Sequence, residues 1–202
     1  PDNPLCAAVT REPATGRIRD GFPVDRNLPQ LQQKGIDVDL NWRQSAPFGL
    51  QGHRAQWQYQ AAFMRDYQIQ RNPVLAPIDC RGTYGSRCSS DSVSLVAPAS
   101  RQRAALAWTA GDWTGGLGVQ RIGSVRDSAA TNPAPKIAAQ HVVDANMAWR
   151  LPAEGLTLTV GVDNLLGKKP PTLERGAAAF NTFPDTYNVV GRSVGVQLTV
   201  KR

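Results

Sequence analysis

Seven stretches of this chain alternate apolar with polar side chains, the period-two pattern of strands that present one apolar and one polar face. Ile36, Val38, Leu40 and Trp42 oppose Asp37, Asp39 and Asn41. Trp57, Tyr59, Ala61, Phe63, Tyr67 and Ile69 oppose Gln56, Gln58, Gln60, Asp66 and Gln68. The same pattern predicts strands over about 34–43, 54–70, 100–110, 113–126, 140–151, 155–166 and 190–202. It is weakest in 113–126, where Arg121 falls on the apolar face and Ile122 on the polar one; a bulge that shifts the register and a snorkelling Arg121 both account for it. All five tryptophans stand beside short turns: Trp42 and Trp57 flank 44–52, Trp108 and Trp113 bracket 110–112, and Trp149 precedes 152–155. With every short turn at one end of an up-and-down sheet, the indoles form a ring. Such a girdle suits a membrane–water interface, where an amphipathic ring gains from both solvents.

The connections alternate in length. Short turns are predicted near 44–53, 111–112 and 152–154, and long connections over 71–99, 127–139 and 167–189. Tight turns at one end and long loops at the other are typical of an antiparallel up-and-down transmembrane β-barrel. A soluble sandwich has less regular loop alternation and no tryptophan girdle. Residues 1–30 are polar and turn-rich and are expected to be loop, with at most a short strand.

At 202 residues, 41% hydrophobic and 19% charged, the composition is that of many soluble domains. No apolar run reaches the roughly 18 residues of a helical span. Barrel strands hide half their positions in polar residues, so they remain open to the chain. The first residues, Pro1-Asp2-Asn3-Pro4, have no basic segment followed by an apolar one. A barrel must be exported, and the chain is therefore expected to begin inside a longer protein. The formal net charge of +7 is scattered, with no basic run longer than two and no aromatic–basic stripe. Nucleic acid is not an expected partner; dispersed lumen and loop charge accounts for the cations.

Of the three cysteines, Cys80 and Cys88 frame a short glycine-bearing loop that could close as a disulfide, worth about 2.5 kcal/mol on the chain-entropy model. Closure implies an oxidising compartment or cell surface; two free thiols are the alternative. A partner for Cys6 is expected upstream of Pro1.

The C-terminal portion, Val142 to Trp149, Leu158 to Pro171 and Tyr187 to Arg192 followed by a last alternating strand, resembles the end of a TonB-dependent outer-membrane receptor. In that family the penultimate strand ends in an Asn-Leu-Phe-Asn/Asp-Lys-x-Pro-like run and Tyr-x-x-x-Gly-Arg introduces the last strand. Here Asn164-Leu165-Leu166-Gly167-Lys168 and Tyr187–Arg192 take those places, and Gly35-Ile-Asp-Val-Asp-Leu40 resembles a recurrent strand opening of the family. The resemblance spans roughly 30–202. It implies that residues 31–202 are about the last seven strands of a plugged barrel of approximately 22 strands, with the plug domain absent from this chain. The family usually finishes on an aromatic residue, and Arg202 occupies that slot here.

Family membership implies uptake of a scarce solute (a siderophore, vitamin or oligosaccharide) across the outer membrane of a Gram-negative bacterium. The implied partners are the plug and the remaining strands, a TonB-type energy-coupling protein reached through the plug, outer-membrane lipid and the small-molecule solute. A passive porin or adhesin barrel, and a secreted soluble carbohydrate-binding β-protein, are the alternatives. Candidate solute contacts are polar lumen-face side chains near the long loops, Asp66, Gln68, Arg103, Asp144 and Asp163, and the loop residues Arg81, Tyr84, Arg87, Phe180 and Phe183.

No enzymatic chemistry, cofactor or metal is expected. His53 and His141, the only histidines, have no second ligand three or four residues away. The Gly161 to Lys169 stretch has one residue too many for a phosphate-binding loop and no Ser or Thr after the first lysine, and Gly115-Gly116-Leu117-Gly118 fails the dinucleotide fingerprint at Arg121.

Overall fold

The computed structural model describes residues 9–21, 30–71, 73–85, 87–88, 96–128, 135–152, 155–173 and 181–201. Cys6, Phe180 and Arg202 lie outside them. Fourteen strands are present among the described residues: β1 (Val9–Arg11), β2 (Ile18–Gly21), β3 (Gln30–Ser45), β4 (His53–Gln70), β5 (Ile78–Asp79), β6 (Thr83–Tyr84), β7 (Val96–Ala97), β8 (Ser100–Ala110), β9 (Trp113–Ile122), β10 (Val125–Asp127), β11 (Lys136–Ile137), β12 (Gln140–Arg150), β13 (Leu156–Asp163) and β14 (Ser193–Val200). Seven long strands pair antiparallel in the order β14-β13-β12-β9-β8-β4-β3, each beside its sequence neighbour among them. This is an open stretch of up-and-down barrel wall with β3 and β14 at its edges. In the first 30 residues, β1 and β2 form a small separate hairpin.

The strand register carries the two-faced pattern across the whole wall. Trp42, Trp57, Leu106, Leu117, Ala145, Val162 and Val194 are successive partners in one row. Nearer the short turns come Trp108, Gly115, Met147, Val160 and Val196, and then Trp113, Trp149, Leu158 and Leu198. All five indoles therefore share one face and one end. Trp113 stacks on Trp149 with ring centroids 5.0 Å apart and planes 2° from parallel, worth about 0.5–1.5 kcal/mol beyond area burial. Trp108 donates its indole N–H to His53 Nδ1 at 3.0 Å and stacks against Phe48 of the β3–β4 turn. The opposite face is polar: Asp39, Gln60, Arg103 and Gln120 are partners in one row, beside Asn41 and Gln58 in the next.

The apolar band has a sharp upper limit. No bulge interrupts β9, whose register runs unbroken with both β8 and β12, so Arg121 stays on the apolar face opposite Gln102 and His141. Its Nη1 donates to Ser100 Oγ at 3.0 Å. From Trp113 to Arg121 the strand climbs eight residues, which at ~3.4 Å per residue and a ~40° tilt is roughly 20 Å of height. Arg121 thus stands at the polar edge of a hydrocarbon-sized band, opposite the indoles.

A bulge does occur in β4. Lys34 pairs with Asp66 but Gly35 pairs with Met64, leaving Arg65 as the extra residue. Beyond it the side chains exchange faces. Asp66 and Gln68, expected on the lumen face, stand on the side of Lys34 and Gln32, continuous with the apolar face. Tyr67 and Ile69, expected on that face, turn inward and are buried against Cys80, Cys88 and Ala97.

At the end remote from the indoles the long connections fold into structure of their own. β6, β7, β10 and β11 form a second small sheet in the order β11-β10-β6-β7, with β10 and β6 parallel. Tyr84, Val96, Ile122, Val125, Ile137, Phe183 and Tyr187 make one buried cluster drawn from all three long connections and the end of β9. Ile122 breaks the alternation because it belongs to this loop core. Cys80 and Cys88 are joined in a disulfide at the base of the small sheet.

Two glycines on the wall should respond oppositely to the same substitution. A Cβ on Gly35 would meet the Phe63 carbonyl oxygen at 2.9 Å, a backbone atom fixed by the bulge, whereas one on Gly115 meets nothing within 4 Å. In the full-length protein Gly35→Ala is expected to lose about 1–3 kcal/mol and Gly115→Ala to gain about 0.5–1 kcal/mol. The temperature at which folded gel mobility disappears in detergent reads both.

Candidate functional site at the long connections

Two hollows bordered by described residues bear on the site. The first, of about 400 Å³, is on the polar face and is bordered by Asp37, Asp39, Gln60, Arg101, Arg103 and Gln120. Strand pairing places Asp37 near Arg101 through Ala62, and Asp39 near Arg103 through Gln60. The Gln60 amide donates to Asp39 Oδ2 at 2.9 Å. Alternating carboxylates and guanidiniums make this a charged but balanced surface, suited to a polar protein face or a hydrated solute. Arg103 is the one strand candidate that lies in it.

The second hollow, of about 470 Å³, is formed where the disulfide loop meets β10. Arg81, Arg87 and Arg126 surround it with Asp79, Asp127, Thr83 and Ser128. Local bonds fix its walls. The Arg81 backbone N–H donates to Asp79 Oδ1 at 3.0 Å, and its Nε donates to the Met64 carbonyl at 2.8 Å. Thr83 donates to the Cys80 carbonyl at 2.8 Å. The fold brings together Arg81 and Arg87, both visible as loop arginines in the sequence, and adds Arg126. Arg126 lies on a separate three-residue strand, at the end of the segment predicted as one strand over 113–126 where the alternation is weakest, so periodicity offered no reason to select it.

The remaining candidates have other surroundings. Asp66 is paired with Lys34 at 3.8 Å and accepts from the Gln32 amide at 2.7 Å, on the apolar-face side of the sheet with Gln68. Asp144 Oδ1 accepts the Asn164 backbone N–H at 2.8 Å, and Asp163 accepts from Ser193 Oγ at 3.1 Å. Both carboxylates thereby tie strand ends to the chain that follows. Tyr84 and Phe183, expected as solvent-facing loop aromatics, are fully buried and pack edge to face with centroids 5.5 Å apart. They form the floor of the loop core, because a small sheet with few apolar residues needs its aromatics for packing.

Asn164 explains the conspicuous run that follows β13. It is completely buried with φ of 52°, a left-handed conformation that asparagine tolerates better than most residues. Its amide donates to the Lys168 carbonyl and its Oδ1 accepts the Lys168 N–H, both at 2.8 Å. Gly167, at φ of 63°, completes the reversal. The run Asn164–Lys168 is thus a strand terminator held by side-chain-to-backbone bonds.

Burial pushes the Tyr187 hydroxyl up to about 12, with a neighbouring Arg101 opposing the shift and Tyr84 reinforcing it. Burial also raises Tyr84, with the Asp127 carboxylate acting in the same direction.

Comparison with known proteins adds three findings. The family model described as "TonB dependent receptor-like, beta-barrel" matches residues 8–165. Among solved structures, a mutant ferric enterobactin receptor from Pseudomonas aeruginosa matches with a TM-score of 0.54 and 17% identity, over 86% of this chain and 23% of that receptor. At that identity the likeness concerns fold, and the chain spans under a quarter of the receptor's length. No curated protein matches at a significant level.

Asn164→Ala should cost about 2–4 kcal/mol in the full-length protein, from two lost buried hydrogen bonds and a left-handed alanine; denaturant midpoints in detergent measure it. The Tyr187 phenol also makes a pH prediction. Between its ordinary 10 and about 12 the unfolded chain releases the proton while the folded chain keeps it. Stability is therefore expected to fall as pH rises above 10 and the slope to level off past 12. Tyr187→Phe should flatten that part of the profile, as followed by unfolding midpoints from pH 8 to 12.

Proposed function

Because this chain belongs to the TonB-dependent receptor β-barrel family, we propose that the intact protein is an outer-membrane receptor that captures a scarce solute at its long loops. Import would then be driven by an inner-membrane TonB-type energy-coupling protein acting on a plug domain. The family is one of receptors and transporters in the outer membrane of Gram-negative bacteria and is not an enzyme family. The observation that carries the reading is the wall itself. One face is apolar over roughly 20 Å between a ring of indoles and the Arg121 row, and the other face carries Asp37, Asp39, Asn41, Gln58, Gln60, Arg103 and Gln120. Lipid covers the first face and the plug and solute path the second.

In this proposal the loops above the Arg121 row are extracellular. The charged hollow of Asp37, Asp39, Arg101 and Arg103 faces the plug, and the loop hollow of Arg81, Arg87 and Arg126 receives solute. β3 and β14 find their hydrogen-bond partners in the remaining barrel strands, since lipid leaves backbone groups no other partner. The solute is a siderophore, vitamin or oligosaccharide. The likeness to a ferric enterobactin receptor supports this class of barrel. A passive porin or adhesin shares the wall but needs no energy coupling, and a soluble carbohydrate-binding protein has no use for an apolar outer face.

The test is uptake by cells expressing the full-length protein, with ferric enterobactin, cyanocobalamin and a maltodextrin as labelled probes. Uptake of one probe is expected to fall to background in cells lacking the coupling protein, while surface binding persists. Uptake that continues unchanged in those cells would establish a passive pore instead. Recovery of the full-length protein as a detergent-free monomer would overturn the membrane reading altogether.

A further inference from the structure

We infer that the loop hollow bordered by Arg81, Arg87 and Arg126 is an anion-recognition site, shaped for a small solute bearing two or more carboxylate or phosphate groups. This deepens, and for its biological use rests on, the receptor reading. Three guanidiniums face two carboxylates around about 470 Å³, a volume within the range of small-molecule pockets and too large for a single inorganic anion. The carboxylates are partly engaged within the protein. Asp79 accepts the Arg81 backbone N–H, and Asp127 lies against the buried side of Gly85 and has a partner of its own.

The guanidiniums are less committed. Arg81 uses Nε on the Met64 carbonyl, which holds its plane and leaves the two terminal nitrogens for another acceptor. Arg87 and Arg126 are exposed and have no ion pair or side-chain hydrogen bond among the described residues. Ser128 adds a buried hydroxyl that finds no partner there. Planar forks of N–H donors match the geometry of carboxylate and phosphate oxygens, which accept paired hydrogen bonds.

The walls are also rigid. The arginines stand on two separate pieces of chain: Arg81 and Arg87 on the loop closed by Cys80–Cys88, and Arg126 on β10. The disulfide and the parallel β6–β10 pairing hold these pieces together. A site whose charges are fixed before the ligand arrives loses less freedom on binding than one assembled from mobile loops.

The experiment uses the full-length protein purified in detergent and titrated calorimetrically with citrate, pyrophosphate, inorganic phosphate and glucose. Citrate or pyrophosphate is expected to bind at least tenfold more tightly than inorganic phosphate, with no heat from glucose. The tighter of the two assigns carboxylate or phosphoryl chemistry. Arg126→Gln and Arg87→Gln should each weaken binding about tenfold without changing the temperature at which folded gel mobility is lost. Arg126→Lys should retain part of the affinity, and all anion affinities should fall as salt rises. Absence of binding by both polyanions, or binding that neither glutamine variant alters, would overturn the inference. The two readings fail separately: coupling-dependent uptake that the glutamine variants leave intact removes the anion site and keeps the receptor, whereas Arg126-dependent polyanion binding without coupling-dependent uptake removes the receptor and keeps the site.

Discussion

Hydrocarbon offers no hydrogen-bond partner to a peptide group, and the rest of this structure follows from that constraint. Within the lipid each N–H and C=O must be satisfied by a neighbouring strand. This is why seven strands pair in sequence order with scarcely an interruption, and why the bulge at Arg65 sits toward the loop end of β4. The same constraint sorts the side chains. With the backbone fixed in a sheet, solvent on each side selects the face: indoles, leucines and valines against lipid, and aspartates, glutamines and arginines toward the interior.

Beyond the band the constraint is lifted and a second principle takes over. The long connections must stabilise themselves, and they do so as a small soluble domain would, with a short sheet, an aromatic cluster around Tyr84 and Phe183, and a disulfide. Burial there is deep enough to raise the Tyr187 hydroxyl to about 12. The charged groups stay at the surface of this domain, which is how Arg81, Arg87 and Arg126 come to border one hollow. Wall and loop core meet at Ile122, the residue where an outer-face rhythm gives way to a packed interior.

The wall was legible in the sequence because its signal is repeated. Period-two alternation in seven segments, with tryptophan beside each short turn, leaves few other arrangements. The bulge at Arg65 was not legible, for a specific reason: Tyr67 and Ile69 keep the odd-numbered apolar rhythm of Trp57 to Phe63 while moving from the lipid side to the inner side. Both environments are apolar, so the residues read the same in each. Tyr84 and Phe183 were misplaced by a similar degeneracy, since an aromatic side chain in a loop suits a ligand surface and a small core equally well. Arg81 and Arg87 stood out as loop cations enclosed by a cysteine pair, but Arg126 did not. Its neighbourhood is made by a parallel pairing between β10 and β6, which are about forty residues apart in the chain, and no local pattern encodes such a contact. Asn164 was visible as part of a family-like motif, while its role in closing β13 required the bonds to Lys168.

The shared loop core has a consequence for how such a protein changes over generations. Tyr84, Val125 and Phe183 come from three different connections and bury one another, so a recombination event that replaced one connection alone would leave the other two around a mismatched interior. The unit of inheritance at this end of the molecule is therefore the trio. Exchange of all three connections together, or substitution of surface residues such as the arginines they display, leaves that interior matched.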